Sequence, residues 1–503
     1  MSADLTLVNL NMLYVRYADG RKERERHLPL GPLYLIAALE QAGFTVDFRD
    51  YQMQSCADPF EPAAMAAFLE NSAPILGVSC MANLLPFTLL ALQDFKARYP
   101  DKTVILGGVG AKAVERQILA RCPWVDIIAR GEGEISGPLL LRALRDGTAL
   151  EQVPGISFRR AGRYVETPRA PRITNLDALG APAFAHIRFA DYQGHGMISS
   201  RGCPYPCTFC SVAPVWDRET YSHSPAHIVQ AMQRLHEEHG VRLFLFQDEF
   251  MVSAKGRVME FCERLRQSGL QVQWKAFGRV NLTDQETMRA MAETGCCEIR
   301  YGIESGSDAV LARTRKGFTS EEAVAVVTQA TRIFDRTDCF YVWGFPFETM
   351  ADFHQTVFQM VAFRALGARI LPSLLSLLPQ TDIYRDLPPG APLEFCPQLL
   401  PEYMLTGHEQ LQGARCDLPQ EHARIFDFIR ANPDLFPGFY HYDLQRNVLP
   451  KLQVLQEFGF YGPDRATLET AAGGAYAPKI PMARPGQADM ARPPDPDRKV
   501  RHA

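Results

Sequence analysis

Strand-length apolar runs alternate with helical patterns in two separate stretches of this chain, and this alternation constrains the fold more than any other feature. In the first stretch, residues 1–150, five such runs alternate with helical segments, one of which, residues 33–42, ends at a glycine suited to helix closure, Gly43. Apolar strands that alternate with helices form parallel sheets covered on both faces. The five predicted strands are residues 5–10, 45–48, 75–79, 103–106 and 125–128.

The second alternating stretch occupies residues 193–399, after a Pro-punctuated connector, residues 151–192, with a predicted hairpin turn at Ala161-Gly162. Six strand–helix units predict a partial (β/α)6 barrel whose site lies at the C-terminal ends of its strands. The predicted fold class is therefore α/β, with a Rossmann-like parallel-sheet domain followed by the barrel. The predicted barrel strands are residues 197–199, 243–246, 273–276, 298–301, 340–343 and 371–378, and two of the helices are residues 225–239 and 320–334.

The C-terminal part of the chain is predicted to be a small helical region followed by a tail. Residues 400–462 read as mostly helical and are rich in Phe and Tyr, which is typical of a cap with an aromatic core or of a lid over a bulky substrate. From residue 463 to residue 503, Pro, Ala, Gly and Arg dominate, so we expect a disordered tail there.

Composition narrows the class of protein further. With 503 residues, 47% of them hydrophobic, the chain is long enough for two or three domains with their own cores. A net charge of −4 without a basic block does not indicate a nucleic-acid partner. No apolar stretch approaches the ~20 residues that span a bilayer, so no membrane span is expected. Twelve cysteines without a secretory leader predict reduced thiols in a cytoplasmic protein.

Three closely spaced cysteines, Cys203, Cys207 and Cys210, lie on a Gly- and Pro-rich loop directly after the first predicted barrel strand. Three thiolates can bind three irons of a four-iron, four-sulfur (4Fe–4S) cluster and leave the fourth iron open to another ligand. Three reduced core cysteines fit this loop poorly, because structural cysteines are usually buried in apolar surroundings. A zinc site would need a fourth ligand, and His195 and His223 lie off the usual ligand spacing.

The spacing of these cysteines, three residues and then two, resembles that of the radical S-adenosylmethionine (SAM) superfamily, in which an aromatic residue stands at the position of Phe209. The resemblance implies a radical SAM barrel in which the three cysteines bind a 4Fe–4S cluster and SAM chelates the open iron. It continues in residues 246–250, 274–279, 301–306 and 344–349, although Phe347 replaces the usual glycine of the last motif.

The same resemblance implies SAM contacts at the strand ends. Carboxylates there would accept hydrogen bonds from the SAM amino group or ribose hydroxyls, and an arginine would pair with its carboxylate in a bidentate fork. An ordinary salt bridge at a strand end is the alternative for each of these residues. The predicted SAM-binding residues are Phe209, Asp248, Glu249, Arg279, Glu304 and Ser305.

The first stretch resembles the B12-binding domain that precedes the barrel in a large radical SAM subclass. Glycines that follow strands let a flat macrocycle or a nucleotide tail approach the backbone closely. The Asp-x-His-x-x-Gly motif of many B12 proteins does not occur here, so a bound cobalamin is expected to lack a histidine on its lower face; a domain that has lost its cofactor is the alternative. The predicted cobalamin-binding residues are Gly31, Ser79, Asn83, Gly107, Gly108, Gly131 and Glu132.

Taken together, these resemblances imply an enzyme that uses a 4Fe–4S cluster, S-adenosylmethionine and cobalamin to methylate an unactivated carbon of a small-molecule substrate. An oxidative cyclase or rearrangement enzyme, as in anaerobic magnesium-protoporphyrin ester cyclase, is the alternative within the subclass. A non-enzymatic cobalamin- or metal-binding module is a third interpretation, which the intact cysteine motif disfavours. The expected partners are a bulky or apolar substrate and an electron donor such as flavodoxin or ferredoxin.

Overall fold

The computed structural model describes most of the two alternating stretches and part of the C-terminal region. It describes residues 3–10, 13–16, 22–54, 61–192, 194–248, 250–396 and 423–460, with the backbone alone for residues 13–16 and 22–25. The predicted tail, residues 463–503, and the segment 400–422 of the predicted cap lie outside the described residues, as does Glu249.

A seven-stranded sheet forms the first domain. Its strand order is β4-β1-β5-β6-β7-β8-β9, and the first five strands run parallel, which confirms the predicted sheet. The helix predicted over residues 33–42 begins three residues earlier, and Gly43 follows it with a φ of +87°. The elements are β1 (Leu5–Asn9), β2 (Leu13–Arg16), β3 (Lys22–Glu25), α1 (Leu30–Gln41), β4 (Val46–Asp50), α2 (Pro62–Phe68), β5 (Ile75–Ser79), α3 (Leu85–Arg98), β6 (Thr103–Gly107), α4 (Glu115–Arg121), β7 (Ile127–Ala129), α5 (Gly133–Asp146), β8 (Ile156–Arg160) and β9 (Arg163–Glu166).

The hairpin predicted in the connector is present, and it extends the first sheet. Ala161 and Gly162 both have positive φ, +49° and +76°, as a two-residue turn between twisted strands requires. Strand β8 pairs antiparallel with β7, and the Arg159 guanidinium donates hydrogen bonds to the carbonyls of Leu119 and Val125. The hairpin therefore covers an edge that β7 would otherwise leave open.

The second domain is the predicted partial barrel, with six parallel strands in chain order, β10-β13-β14-β15-β16-β17. Helix α7 coincides with the predicted helix 225–239; Pro225 begins it, and the Ser224 hydroxyl accepts a hydrogen bond from the His227 amide. The elements are β10 (Gly196–Met197), β11 (Ser200–Arg201), α6 (Val212–Val215), β12 (Tyr221–Ser222), α7 (Pro225–His239), β13 (Leu243–Phe246), α8 (Lys255–Ser268), β14 (Gln273–Gly278), α9 (Gln285–Glu293), β15 (Cys296–Glu304), α10 (Asp308–Arg313), α11 (Ser320–Ile333), β16 (Arg336–Trp343), α12 (Met350–Ala365), β17 (Arg369–Leu374) and α13 (Asp382–Arg385).

The first barrel strand differs from the prediction, because residues 197–199 do not form one continuous strand. Strand β10 ends at Met197, and the amide of Ser199 donates to the Asp248 carboxylate instead of to a neighbouring strand. The chain then forms β11, which pairs antiparallel with β12. This break turns the backbone out of the barrel just before the cysteine loop.

The described part of the C-terminal region joins both domains through β18 (Leu393–Glu394), α14 (Ala423–Ala431), β19 (His441–Tyr442) and α15 (Leu449–Glu457). Side chains of α14, with Phe436, Phe439 and Tyr440, pack into the core of the first domain. Residues of α15, with Phe460, pack into the barrel core. A buried ion pair, Lys451 Nζ to Glu348 Oε2 at 2.8 Å, fixes α15 to the loop after β16. The assignment of residues 400–462 as a cap stays a prediction.

Candidate active site

The cysteine loop leaves the barrel through a turn that only glycine can make. Gly202 has a φ of +99°, and a Cβ there would lie 2.1 Å from the carbonyl oxygen of Glu219. The loop is anchored at Thr208, whose amide donates to the Thr314 carbonyl at 3.1 Å and whose carbonyl accepts from the Ile383 amide at 2.9 Å. The three thiols are therefore held on a loop fixed at its start and in its middle.

The three cysteines of the loop form no disulfide with the described cysteines and are half-buried, a state suited to metal ligation at a ligand-accessible site. The Sγ atom of Cys207 lies 3.8 Å from Nη1 of Arg279 and 3.9 Å from the carbonyl oxygen of Arg315. An arginine beside the sulfur offsets the negative charge that a thiolate-bound cluster carries. The residues present thus fit a 4Fe–4S cluster.

Arg279, which follows β14, lies against the cysteine loop. Its guanidinium stacks on the Tyr205 ring at 3.6 Å and hydrogen-bonds the carbonyl of Lys316. Its Nε is buried and has no hydrogen-bond partner among the described residues. A buried donor without a partner is costly, so this atom fits a ligand carboxylate beside the cluster. The predicted contact between Arg279 and SAM stays a prediction.

Glu304 ends β15 in a strained conformation. Its φ is +68°, which costs a residue other than glycine about 1–3 kcal/mol and which clusters at functional sites. Its carboxylate is buried and accepts a hydrogen bond from Lys316 Nζ at 3.0 Å, and the same ammonium lies 6.0 Å from the Phe209 ring. The structure therefore brings together three of the predicted SAM-site residues, Phe209, Arg279 and Glu304, through Lys316.

Two other predicted SAM-binding residues are occupied by contacts within the protein. The Asp248 carboxylate accepts hydrogen bonds from the Ser199 amide, the Ser199 hydroxyl and the Ser200 hydroxyl, each at 2.7 Å. Burial raises the pKa of Asp248, while these hydrogen bonds lower it. Ser305 is fully buried, and its hydroxyl lies 2.8 Å from that of Thr356. Both residues hold the backbone around the site in this structure.

Most of the predicted cobalamin-binding residues line a single cavity of about 580 Å³ between the two domains. Six of the seven do so, and the barrel contributes Arg201, Gly202, Trp216 and Asp248 to the same wall. Asn83 lies in the turn Ala82–Leu84, just past the lining residue Met81. The lining residues from the predicted set are Gly31, Ser79, Gly107, Gly108, Gly131 and Glu132.

Gly108 lets two loops at the edge of this cavity pack closely together. Its φ is +84°, and a Cβ there would lie 2.5 Å from the Cys80 carbonyl oxygen. The two strand-end loops after β5 and β6 therefore pack closely, with no side chain between them. The ends of parallel strands are also where open α/β sheets bind ligands. The cavity therefore fits a cobalamin, and the individual contacts stay predictions.

A buried ion-pair network, which the sequence did not predict, joins the two halves of the site. Arg201 donates to Glu132 at 2.9 Å and to Glu134 at 2.6 Å, and all three side chains are less than 10% exposed. Arg172 donates to the second oxygen of Glu132 at 3.0 Å, and the Ile173 amide donates to the same oxygen at 2.8 Å. Glu132, predicted to contact cobalamin, thus holds the first domain to the strand that leads into Cys203.

A second polar group, Asp177 with His223 and His227, fixes the connector to helix α7. His223 lies 3.0 Å from Asp177, and the two imidazole rings stack in parallel, with an interplanar angle of 10° and centroids 4.4 Å apart. The lone pair of an imidazole nitrogen points outward in the plane of its ring. Because the rings of His223 and His227 are stacked in parallel, their nitrogen lone pairs do not point at one shared metal ion. We therefore treat this group as structural. Burial lowers the pKa of His223 to about 4.

Comparison with known families agrees with this geometry. Residues 197–360 match the family model of the radical SAM superfamily, and residues 21–141 match that of the B12 binding domain. Two solved structures share the fold: TsrM from Kitasatospora setae, determined with cobalamin and a 4Fe–4S cluster, at a TM-score of 0.61, 16% identity and coverage of 94% of this chain and 99% of that one; and OxsB, with aqua-cobalamin and SAM, at a TM-score of 0.61, 17% identity and coverage of 94% and 70%.

Curated relatives match a smaller part of the chain. An uncharacterized methyltransferase of Pyrococcus horikoshii is 30% identical over 259 residues, which are 50% of this chain and 56% of that protein. The anaerobic magnesium-protoporphyrin IX monomethyl ester cyclase of Cereibacter sphaeroides is 28% identical over 350 residues, 65% of this chain and 55% of that protein. The chain thus spans little more than half the length of these relatives.

Replacing Arg201 with Met is expected to weaken the contact between the domains, because it leaves Glu132 and Glu134 buried without this partner. Breaking a buried pair in this way costs about 3–5 kcal/mol. Thermal unfolding and limited proteolysis of the connector measure the effect. Arg188→Met is the matched control, because Arg188 is 82% exposed in its pair with Asp191 and its loss should cost less than about 1 kcal/mol. Equal effects of the two substitutions would contradict the assigned role.

Stability is expected to fall as the pH drops from about 6.5 to about 4, because His223 stays neutral in the folded protein over this range while the unfolded chain takes up a proton. The folded-state pKa lies below the unfolded value, so this contribution is complete above pH 6.5 and is lost as acid is added. Between pH 6.5 and pH 4, the His223→Gln variant should lose less of its free energy of unfolding than the unaltered protein, by on the order of 2 kcal/mol. Urea unfolding at several pH values tests this, and an unchanged pH dependence in the variant would refute it.

Proposed function

The chain belongs to the radical SAM superfamily and carries a B12 binding domain before the barrel, and from this premise we propose that it methylates an unactivated carbon of a small molecule. The two domains imply a 4Fe–4S cluster, SAM and cobalamin as its cofactors. When bound, these supply a methyl group, a carrier for it and a radical that removes a hydrogen atom from the substrate. The rest of the work falls to the residues of this chain.

One observation carries the proposal: residues of both domains line a single cavity. The strand ends of the first domain form one wall, and Arg201, Gly202 and Trp216, which flank the cysteine loop, form part of the other. The cysteine loop leaves this wall after Gly202 and returns to it at Ser211, so a cluster bound by the loop would lie beside the space that a cofactor on the first wall faces. A common cavity supports a single reaction that uses both cofactors, because two cofactors with separate reactions would not need one.

The chain's own residues divide the work of holding this arrangement. Cys203, Cys207 and Cys210 would ligate the cluster, and Arg279 would orient a carboxylate next to it. Asp248 fixes the backbone that enters the loop. The network around Glu132 keeps the two walls together, because separating them would expose or unpair charges that are now buried.

The cavity wall also supports a substrate with a large apolar part. Apolar side chains from both domains reach this space, among them Met81, Val109, Val215 and Trp216. Apolar walls with a few polar groups are typical of small-molecule sites. Among the charged residues of the wall, Arg201 is paired with its two glutamates, and Asp248 is hydrogen-bonded to Ser199 and Ser200.

Oxidative cyclisation is the second candidate function. It is favoured by the similarity to magnesium-protoporphyrin ester cyclases, one of which matches 65% of this chain. Such a reaction would use the same cofactors without transferring a methyl group. The same cavity serves both candidates, so the fate of the methyl group of SAM decides between them.

We also propose a cytoplasmic location and a flavodoxin or ferredoxin as electron donor. The ten described cysteines form no disulfide with one another, which is the state that a reducing compartment maintains. Among the described residues, no helix has the length and apolar character needed to cross a bilayer.

Anaerobic reconstitution with iron and sulfide should load about four irons per chain and permit dithionite to drive cleavage of SAM to 5′-deoxyadenosine. Cys207→Ala should lose both properties, because only two cluster ligands remain. Cys297→Ala, a half-buried cysteine on β15, is the matched control and should keep them. If Cys207→Ala cleaves SAM as fast as the unaltered protein, the assignment of the loop fails. The measurements are iron content and product chromatography.

Isotope labelling separates the two candidate reactions without knowledge of the substrate. Protein loaded with cobalamin and reduced in the presence of SAM with a deuterated methyl group should yield labelled methylcobalamin, detected by its absorbance and by mass spectrometry. A cyclase of the same subclass would cleave SAM without labelling the cobalamin. Protein from a cobalamin-fed host that carries no corrin absorbance would rule out methyl transfer through cobalt.

A further inference from the structure

We propose that a basic rim beside the cysteine loop is the docking surface for an acidic electron-carrier protein of the flavodoxin or ferredoxin type. The rim consists of Arg218, Arg315 and Arg385, which surround Asp382, and it is called the arginine rim below. The inference rests on the proposed function, since a carrier is needed only if a cluster is to be reduced. The carrier would give up one electron, which the oxidised cluster would accept, without other bonds being made or broken.

The arginine rim carries more positive charge than its ion pairs neutralise. Arg218 Nη2 lies 3.2 Å from Asp382 Oδ1, Arg315 Nη1 lies 3.3 Å from Oδ2, and Arg385 also pairs with this carboxylate. Three guanidinium groups thus share one carboxylate, which leaves a net charge of +2 on the cluster. Like charges this close repel one another, and exposed ion pairs contribute little stability. Fold stability alone does not account for the arrangement.

Further charges around the rim reduce this excess but do not remove it. Arg313 is exposed on α10, and its guanidinium stacks on the Phe347 ring at 4.0 Å. Among nearby acidic residues, Asp217 pairs with Arg169, while the exposed Asp386 and Glu219 offset two positive charges and leave the rim, with Arg313, a net charge of about +1. The chain as a whole has a net charge of −4, so the rim is a local exception on an acidic protein.

Two of the three arginines are presented from strained backbone. Arg218 has a φ of +61° and Arg315 a φ of +56°, in the left-handed region that residues other than glycine rarely adopt. Each such residue costs about 1–3 kcal/mol, and such strain clusters at functional sites. The side chains of Arg218, Arg315 and Arg385 are 44%, 56% and 60% exposed, so a partner can reach them.

Two of the three segments of the rim are hydrogen-bonded directly to the cysteine loop. Asp382 is followed by Ile383, whose amide donates to the Thr208 carbonyl, and Arg315 is preceded by Thr314, whose carbonyl accepts from the Thr208 amide. The carbonyl oxygen of Arg315 lies 3.9 Å from Cys207 Sγ. A carrier bound on the rim would therefore place its redox centre next to the cluster ligands.

Electrostatics determine the kind of partner. A positive patch accelerates the encounter with an acidic partner by about 10- to 1000-fold, and this gain falls as salt is added. Small acidic redox carriers offer a negative surface around an exposed redox centre, which complements the rim. A basic or neutral carrier would gain nothing from it.

Binding of the full chain to immobilised oxidised flavodoxin, and separately to ferredoxin, tests the rim without any turnover. The triple variant Arg218→Gln, Arg315→Gln, Arg385→Gln should associate about 10-fold more slowly at low salt, and its rate should depend less on salt between about 50 and 300 mM. The matched control Arg145→Gln, Arg264→Gln, Arg266→Gln removes the same charge from side chains 46–52% exposed and should stay within about two-fold of the unaltered protein. Equal slowing in both variants, or none in the first, overturns the proposal.

Reductant choice then separates failure of docking from failure of the proposed function. With flavodoxin as reductant, the rim variant should release 5′-deoxyadenosine more slowly, whereas with dithionite, which needs no docking surface, it should match the unaltered protein. Equal carrier-driven rates would overturn the docking proposal. If dithionite releases no 5′-deoxyadenosine even from the unaltered protein, the proposed function fails, and the binding rates still decide the docking surface. Should the triple variant not fold, Arg385→Glu alone tests the same prediction, since it reverses the most exposed charge of the rim.

Discussion

The buried network of Arg201 and Arg172 with Glu132 and Glu134 is the interaction on which the candidate site depends. Burying four charged groups costs several kcal/mol per ion unless each finds a partner, and here each of them does. This pairing holds the two domains together, because moving one domain away from the other would leave buried charges without partners. Because Arg201 lies two residues before Cys203, the network also sets where the cysteine loop begins relative to the first sheet.

The cysteine loop itself is positioned by polar contacts to the backbone rather than by packing. The amide of Ser199 donates its hydrogen bond to the Asp248 carboxylate instead of to a neighbouring strand. Gly202 then makes a turn that no other residue tolerates. Farther on, Thr208 is held by segments that follow β15 and β17. The loop is thus tied to the segments after the second, fourth and sixth barrel strands, which leaves its half-buried thiols on a rigid support. A rigid support is what a catalytic metal site requires.

The outcome for individual residues shows where sequence reasoning reached its limit. The glycines at strand ends were predicted to line a ligand site, and Gly107, Gly108 and Gly131 do line one cavity, because strand ends of a parallel sheet meet at one edge. Glu132 lies in the same turn, yet its carboxylate holds Arg201 and Arg172. Nothing in the sequence pairs residue 132 with residue 201, since charge complementarity over such a separation has many equivalent solutions. The hairpin turn at Ala161-Gly162 was predictable, but not that its strands would extend the first sheet.

The sequence by itself determined the two α/β domains, their order and the three cysteines that identify the loop. These follow from local patterns: apolar periodicity, turn residues and close spacing along the chain, each of which acts over a few residues. Only the tertiary structure decided that the two domains share one cavity, and that Asp248 holds the backbone of Ser199 while Glu132 holds two arginines. It also brought Arg218 and Arg315 from distant segments to Asp382, which already pairs with Arg385 on its own helix. Those relations depend on which charged groups come together when the chain is buried, and burial is a property of the whole fold.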